Sequence, residues 1–434
     1  MKLVQPQRNH SAWLRHTVGM RLRSWIHPAI LATALLAAAA GFAQFGVTAA
    51  LGDVARAFGK AGNGPSISEQ IGLSLTTLGI GLGVIRLASV GSLPLTGLAD
   101  RMGRRRVILI CCLGGLAFTI ASAASPSYWW FIAVFALGRP LLSTTNALAA
   151  VIAAEQTRAA DRAKAVALIA AAYAMGAGAV ALVRGIWGVE FRTLFALSIV
   201  PLLLVAVLGR LVQEPDRYAL LQRQERKPWT RPHLPGAVPT RFRARLALLA
   251  SLGFAAAFVT GPATTLLFVY VENVLGLAPS TAAWAVPVAG LGGLAGLVLG
   301  RWAADRIGRV PTLVVAQAGI AIAGALTYSA GIPGAIGGYI GSISAQAALG
   351  PAIGVLGVEL FPTSTRASAA GWFQAAGVLG AVAGLITFSL LVDVFGSFTP
   401  AALAVTIPVA LSSAAYLFLP ETRGLELEQS APEE

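Results

Sequence analysis

Two arginines stand where a bilayer makes charge most expensive. Arg86 lies about midway along the apolar run from Gln70 to Ala99, and Arg139 near the middle of the run from Trp129 to Ala154. An arginine at the centre of a membrane helix costs about 2.5–3.5 kcal/mol on insertion scales, so each must face the protein interior and find a partner. No carboxylate lies at comparable depth. Asp53, Glu190, Glu272 and Asp393 fall near one set of run ends, and Glu155 and Glu359 near the other. Two deep cations without a deep anion suit a site for an anionic solute. The structural alternative is a backbone partner, because Pro140 leaves the Ala136 carbonyl without its helical donor.

A second set of charges is repeated. Asp100-Arg101-Met102-Gly103-Arg104 returns half a chain later as Asp305-Arg306-Ile307-Gly308-Arg309, each copy closing an apolar run. Glu155 and Arg162 are matched in the same register by Glu359 and Arg366, and Glu214-Pro-Asp-Arg217 more loosely by Pro420-Glu-Thr-Arg423. Three matches in register describe a chain built from two related halves. Duplication around hydrophobic segments marks secondary transporters, whose site lies between the repeats. Gly103 permits a tight reversal between antiparallel helices. Asp100, at a helix end, is placed to pair with the arginines or to face the positive N-terminus of a neighbouring helix.

The elements that carry these residues follow from composition. Hydrophobic residues make up 56% of the 434 and charged residues 12%, with a mean hydropathy of +0.74. A soluble fold of this size cannot cover so much apolar surface, so lipid must. Runs near the ~20 residues that cross the hydrocarbon fall at 28–51, 70–99, 107–124, 129–154, 165–183 and 193–212, then at 246–271, 282–304, 312–331, 334–358, 367–392 and 399–419. The expected architecture is an all-α membrane protein of 12 transmembrane helices in two pseudo-symmetric six-helix bundles. Residues 28–212 form one bundle and 246–420 the other; 1–27, 213–245 and 421–434 form an N-terminal segment, a linker and a tail. The apolar run near the N-terminus is longer than a signal sequence's and reads as a retained span.

Most of the 32 Lys and Arg residues fall in the segments that share a side with both termini, among them Arg104 to Arg106, Arg158 to Lys164 and the run from Arg210 to Arg245. The positive-inside rule makes that side cytoplasmic, and the expected location is the cell membrane, with many spans and both termini inside. The net charge of +14 is thus an orientation signal with some attraction for anionic lipid, and nucleic acid is not an expected partner. Cys111 and Cys112 are adjacent in one span and cannot form an ordinary disulfide. The four histidines, His10, His16, His27 and His233, lie outside the spans, so no metal site or cofactor is expected. No deep nucleophile–base pair suggests an enzyme.

The repeated phrases have a family likeness. Gly97-Leu-Ala-Asp100-Arg101-Met-Gly103-Arg104-Arg105-Arg106 is similar to the loop signature of the major facilitator superfamily. Val358-Glu-Leu-Phe-Pro-Thr-Ser-Thr-Arg366, with the Glu-Pro-Asp-Arg and Pro-Glu-Thr-Arg closures, resembles its sugar and metabolite porter branches. Departures are visible. Thr96 stands where the loop glycine usually sits, and the first span reads Gly41-Phe-Ala-Gln-Phe-Gly46 where many proton-coupled relatives carry a carboxylate. The resemblance implies that Asp100 faces the start of the eleventh span. It also implies that Asp100, Arg101, Gly103, Arg104, Glu155, Arg162, Asp305, Arg306, Gly308, Arg309, Glu359 and Arg366 form a conformational gate, while the alternative is that these charges only orient loops.

On the helices that the resemblance makes cavity-lining, the substrate candidates are Gln44, Arg86, Arg139, Asn146, Thr264, Gln346, Trp372 and Gln374, with Thr48, Thr144, Thr265 and Tyr339 beside them. Gly261-Pro262 and Gly350-Pro351 are expected to interrupt their helices. Each polar side chain serves equally well as glue between helices; as a set they suit a small polar solute. The reading is a monomeric, gradient-driven carrier of a small organic solute, with uniport or exchange favoured over proton symport by the carboxylate-poor core. Efflux of hydrophobic, drug-like compounds is the alternative, and a transporter-like sensor without flux the rival of a different class.

Overall fold

A computed structural model describes residues 27–60, 62, 67–157, 161–214, 240–361 and 366–423. Most of the expected N-terminal segment, linker and tail lies outside these residues, as do the side chains of Asp100, Arg101, Arg162 and Arg366.

Among the described residues, eleven helices are long and apolar enough to cross a membrane, and one shorter apolar helix completes the twelve. They are α1 (Pro28–Ala49), α2 (Leu75–Ala99), α3 (Arg104–Ala123), α4 (Tyr128–Gln156), α5 (Lys164–Trp187), the short α6 (Phe191–Val207), α7 (Thr240–Thr265), α8 (Pro279–Arg306), α9 (Arg309–Ser329), α10 (Gly331–Gly357), α11 (Ala369–Phe395) and α12 (Phe398–Phe418). No strand occurs among the described residues. Large apolar side chains point outward along the helices, as Val315, Leu411 and Phe418 do, the arrangement that lipid requires.

Helix ends differ from the hydropathy reading in informative ways. The first span stops at Ala49, and the chain continues as a short separate helix, Leu51–Phe58, carrying Asp53 and Arg56. The second begins at Leu75, where the Ser74 hydroxyl accepts the Thr77 N–H, a side-chain N-cap. α7 is already helical at Thr240, the first described residue after 214, inside the stretch that reads as linker. Pro262 and Pro351 lie inside continuous helices, so the expected interruptions do not occur there. α7 instead breaks just past Thr265, into Leu267–Val269 and a π-turn at Tyr270–Val274.

Both halves are assembled by glycine contacts in equivalent places. Gly41 of α1 lies against the Tyr173 carbonyl of α5, and Gly176 of α5 against the Ala38 carbonyl of α1. In the second half, Gly380 and Gly384 of α11 lie against the Phe254 and Phe258 carbonyls of α7. A Cβ at any of these positions would overlap the facing oxygen. Small residues that let backbones touch are how helices pack where lipid offers no hydrophobic drive.

The halves meet through α2 with α11 and α5 with α8. Gly79 faces Leu385 and Ser389, Gly83 faces Val382 and Ile386, and Gly185 faces Ser280 and Ala283. Phe45 and Phe268 meet edge-on, with centroids 6.2 Å apart. These contacts gather toward the end opposite the Gly103 and Gly308 turns, called the far end below. Toward the motif end, Gly97, Gly350, Gly354 and Gly377 face open space.

Candidate transport site and gates

The two deep arginines reach one polar cluster. α2 is irregular at this level: its first helical segment ends at Ala88, a 3-10 turn covers Ser89–Gly91, and the helix resumes at Ser92. A 3-10 stretch within a helix often marks a hinge or site. Arg86 stands just before it, and its Nη2 donates to Thr265 Oγ1 of α7 at 2.8 Å, across the two halves. Arg139 Nε donates to Ser89 Oγ at 3.1 Å. The observed partner of Arg139 is therefore a hydroxyl of α2, where the sequence offered the Ala136 carbonyl.

The guanidiniums repel one another, and the Tyr173 hydroxyl lies within electrostatic reach of both. No carboxylate among the described residues acts on either. The Tyr173 hydroxyl donates to Gln44 Oε1 at 3.2 Å, while the Gln44 amide nitrogen, in a side chain only 7% exposed, has no protein partner. Gln44, Arg86 and Arg139 thus come together, joined by Thr265, which the sequence also offered, and by Tyr173 and Ser89, which it did not. The cluster is rich in donors and poor in acceptors.

The other substrate candidates are less connected. Gln346 Nε2 donates to Thr260 Oγ1 at 3.3 Å, and the Thr264 hydroxyl is taken by the Thr260 carbonyl of its own helix at 2.7 Å. Asn146 is half-buried on α4. Trp372 and Gln374 are both exposed, and residues two apart on a helix point to opposite sides. They do not share one lining face.

At the motif end, Gly103 and Gly308 take φ of +95° and +127°, a left-handed backbone that disfavours any side chain. Each turn opens a helix whose first amides are held by a distant carboxylate. Glu214 accepts from Arg104 N at 2.7 Å and Arg105 N at 3.0 Å. Glu421 accepts from Arg309 N at 3.0 Å and Val310 N at 2.9 Å. A Cβ on Gly103 would come within 3.0 Å of Glu214 Oε2. The third repeat in the sequence, noticed only as a loose match, is thus a pair of helix N-terminal caps that also oppose the helix dipole.

The expected gate carboxylates pair within their own halves. Glu155 meets Arg104. Glu359 meets Arg309 at 3.4 Å and accepts from the Thr422 hydroxyl. Asp305 and Arg306 are exposed at the end of α8.

The far end carries an ion cluster that no motif announced. Arg184, 3% exposed in the last turn of α5, donates from Nε to Asp53 Oδ2 at 2.7 Å and from both terminal nitrogens to Glu272, with Nη2 to Oε2 at 2.7 Å. Arg56 donates to Asp53 at 2.8 Å and to Asn273 at 3.0 Å. Burial alone would raise the Asp53 carboxyl, but bonds and charge from Arg184 and Arg56 outweigh it and hold it below its usual value. Nearby, Asp393 of α11 accepts from Leu75 N at 3.2 Å, Thr76 N at 2.7 Å and the Thr76 hydroxyl at 2.7 Å, capping α2 from the other half.

Twelve helices in two glycine-packed halves around a buried polar cluster narrow the fold sharply, and the family model for the Major Facilitator Superfamily matches residues 32–343 and 280–434. The chain belongs to the Major Facilitator Superfamily. Membership in that superfamily makes it a membrane transporter. Solved structures agree on the fold. The xylose transporter XylE from E. coli, partially occluded and inward open, matches at 18% identity and a TM-score of 0.68, over 92% of this chain and 99% of that one. The nucleoside transporter NupG matches at 14% and 0.66, over 90% and 98%. A bacterial homolog of the human lysosomal transporter Spinster, inward-facing and occupied, matches at 16% and 0.67, over 90% and 95%. A comparison with curated proteins returns no match. At these identities, the superfamily fold is what the neighbours share with this chain.

Proposed function

We propose that this protein is a gradient-driven secondary transporter that moves a small organic anion by alternating access, with Arg86 and Arg139 holding the anionic group. One observation carries the reading: two deep guanidiniums share a cluster with hydroxyl and amide groups, and no carboxylate among the described residues is paired with either. A charge at that depth needs a polar or charged partner, and a solute that brings an anionic group supplies a stronger one than its neutral analogue does. Gln44, through its open amide nitrogen, and Thr265 are the adjoining binding residues. Asn146, Gln346 and one of Trp372 and Gln374 line the path to the motif end.

The motif end is cytoplasmic in this reading, because the basic loops lie there, and the membrane is the cell membrane. Residues 28–212 and 246–420 are the moving bodies, and the protein acts as a monomer. With the motif end cytoplasmic, the far-end contacts between halves support reading the described state as inward-facing. Asp100, Arg101, Arg162 and Arg366 join Glu155, Glu359 and the arginines of the two turns when the motif end closes.

The test is a binding and flux screen of the purified, reconstituted protein across carboxylates, phosphates, sugars and drug-like cations. An anion should bind. Arg139→Gln should weaken it at least about tenfold, the scale of a charge-assisted bond, and Arg139→Lys should restore it only in part, having lost the planar fork. Ligands that are neutral or apolar and bind Arg139→Gln unchanged would make the arginines structural and favour drug efflux.

A further inference from the structure

Arg184 is bound by two carboxylates that belong to different bodies. Asp53 and Arg184 both lie in the first half, so their 2.7 Å contact persists however the halves move. Glu272 lies in the second half, on the π-turn after α7. Its pairing with Arg184 therefore spans the seam between halves, as do the Arg56 contacts to Asn273 at 3.0 Å and to Glu272 at 3.8 Å. Ser280 and Ala283 of α8 close over Gly185 one residue away. The described ion pairs at the motif end are confined to single halves.

We infer that Arg184 is the positioning residue of the far-end gate, gripping Glu272 when that end is closed and held ready on Asp53 when it is open. The inference rests on alternating access, though not on the solute's charge or on which end is cytoplasmic. The charges give it a directional signature. The first-half side of the seam carries Arg184, Arg56 and Asp53, a net single positive charge facing the single negative charge of Glu272. Asp53 thus repels Glu272 across the seam while orienting the arginine that attracts it. Neutralising Glu272 removes the attraction between halves; Asp53→Asn removes the repulsion, keeps one amide oxygen to accept from and orient Arg184, and leaves two cations facing Glu272. The two isosteric substitutions must move the gate in opposite directions. A cluster that merely packs the helix ends gives both the same sign, since either leaves buried charge uncompensated.

The experiment reads opening with Ser280→Cys, a near-isosteric reporter at the seam, with Cys111 and Cys112 replaced by alanine. Maleimide labelling rates are measured on purified protein in nanodiscs, where both faces are accessible and sidedness does not matter. Glu272→Gln should raise the rate about tenfold, within the usual range for coupling between sites. Asp53→Asn should lower it several-fold. Arg56→Gln should raise it less than Glu272→Gln does, and supplies the reading if that variant fails to fold. Acceleration by both Glu272→Gln and Asp53→Asn, or unchanged rates in both, overturns the inference. An anion screen without hits, beside opposite labelling shifts, would sink the anion reading and leave the gate standing.

Discussion

Replacing Glu214 with glutamine keeps the side chain's shape and one carbonyl acceptor, and removes the charge that faces the start of α3. The carboxylate takes two amide N–H groups, at 2.7 and 3.0 Å, and glutamine can accept only one of them. The lost bond costs about 1 kcal/mol. The lost charge costs about 1 kcal/mol more at a half-buried helix N-terminus, so the variant should be destabilised by about 2 kcal/mol. Glu421 makes the same two contacts in the other half, but it is exposed, so water competes and its charge matters less. Glu421→Gln should cost about 1 kcal/mol or less. The assay is the thermal unfolding midpoint of each purified variant in one detergent, followed by tryptophan fluorescence. With about 2–4 °C per kcal/mol for a body the size of one half, Glu214→Gln should fall by about 4–8 °C and Glu421→Gln by half that or less. Equal shifts, or a larger one for Glu421→Gln, would show that burial does not govern these caps.

Other perturbations have defined outcomes. Gly103→Ala and Gly308→Ala should each lower stability by about 1–2 kcal/mol, the usual cost of a left-handed alanine, with the cap contact adding to it; melting curves decide. Thr265→Val removes the acceptor of Arg86 without changing volume much, and should destabilise the empty carrier by about 1–3 kcal/mol while an anionic ligand restores part of the loss. Asp53 is held below its ordinary value of 3.8 in the folded state, so its contribution is present above the unfolded value and disappears as pH falls through the lower folded one. Melting temperature should accordingly show no Asp53-dependent change from pH 7 to about 5 and a loss below about pH 4, and Asp53→Asn should flatten that acid limb.

Much of the architecture is written in local pattern, because a bilayer demands long apolar runs and an expensive arginine must have a reason. Arg86 and Arg139 stand out for that reason, and Gly103 and Gly308 because a repeated glycine between charged residues has little use except a turn. The far-end cluster was harder to see. Asp53, Glu272 and Arg184 each sit at a span end, where charges are ordinary, and Arg184 reads as one more cation in a short loop. The available signal was three charges of both signs at the same depth on different spans, together with an arginine still inside the last helical turn. Glu214 and Glu421 show the converse. Their repetition was legible, but a cap formed across more than a hundred residues cannot be read from spacing. Tyr173 was hidden for a simpler reason: a tyrosine in an apolar helix looks like core until its hydroxyl is placed beside Gln44.

The glycine contacts that join α1 to α5 and α7 to α11 have a mechanical consequence. Where two backbones touch, no side chain between them can change rotamer, so the pair cannot slide without opening a void along its length. Between the halves the contact is mixed: Gly79 lies against the Leu385 carbonyl and Gly185 against the Ser280 backbone, while Phe45, Phe268, Ser389 and Ile386 meet the other half with side chains, which can swing. What compliance the seam has lies in those side chains, whereas α1 with α5 and α7 with α11 are locked backbone to backbone. Any rearrangement of one half against the other has to pass through that seam, and the Arg86–Thr265 bond lies across it.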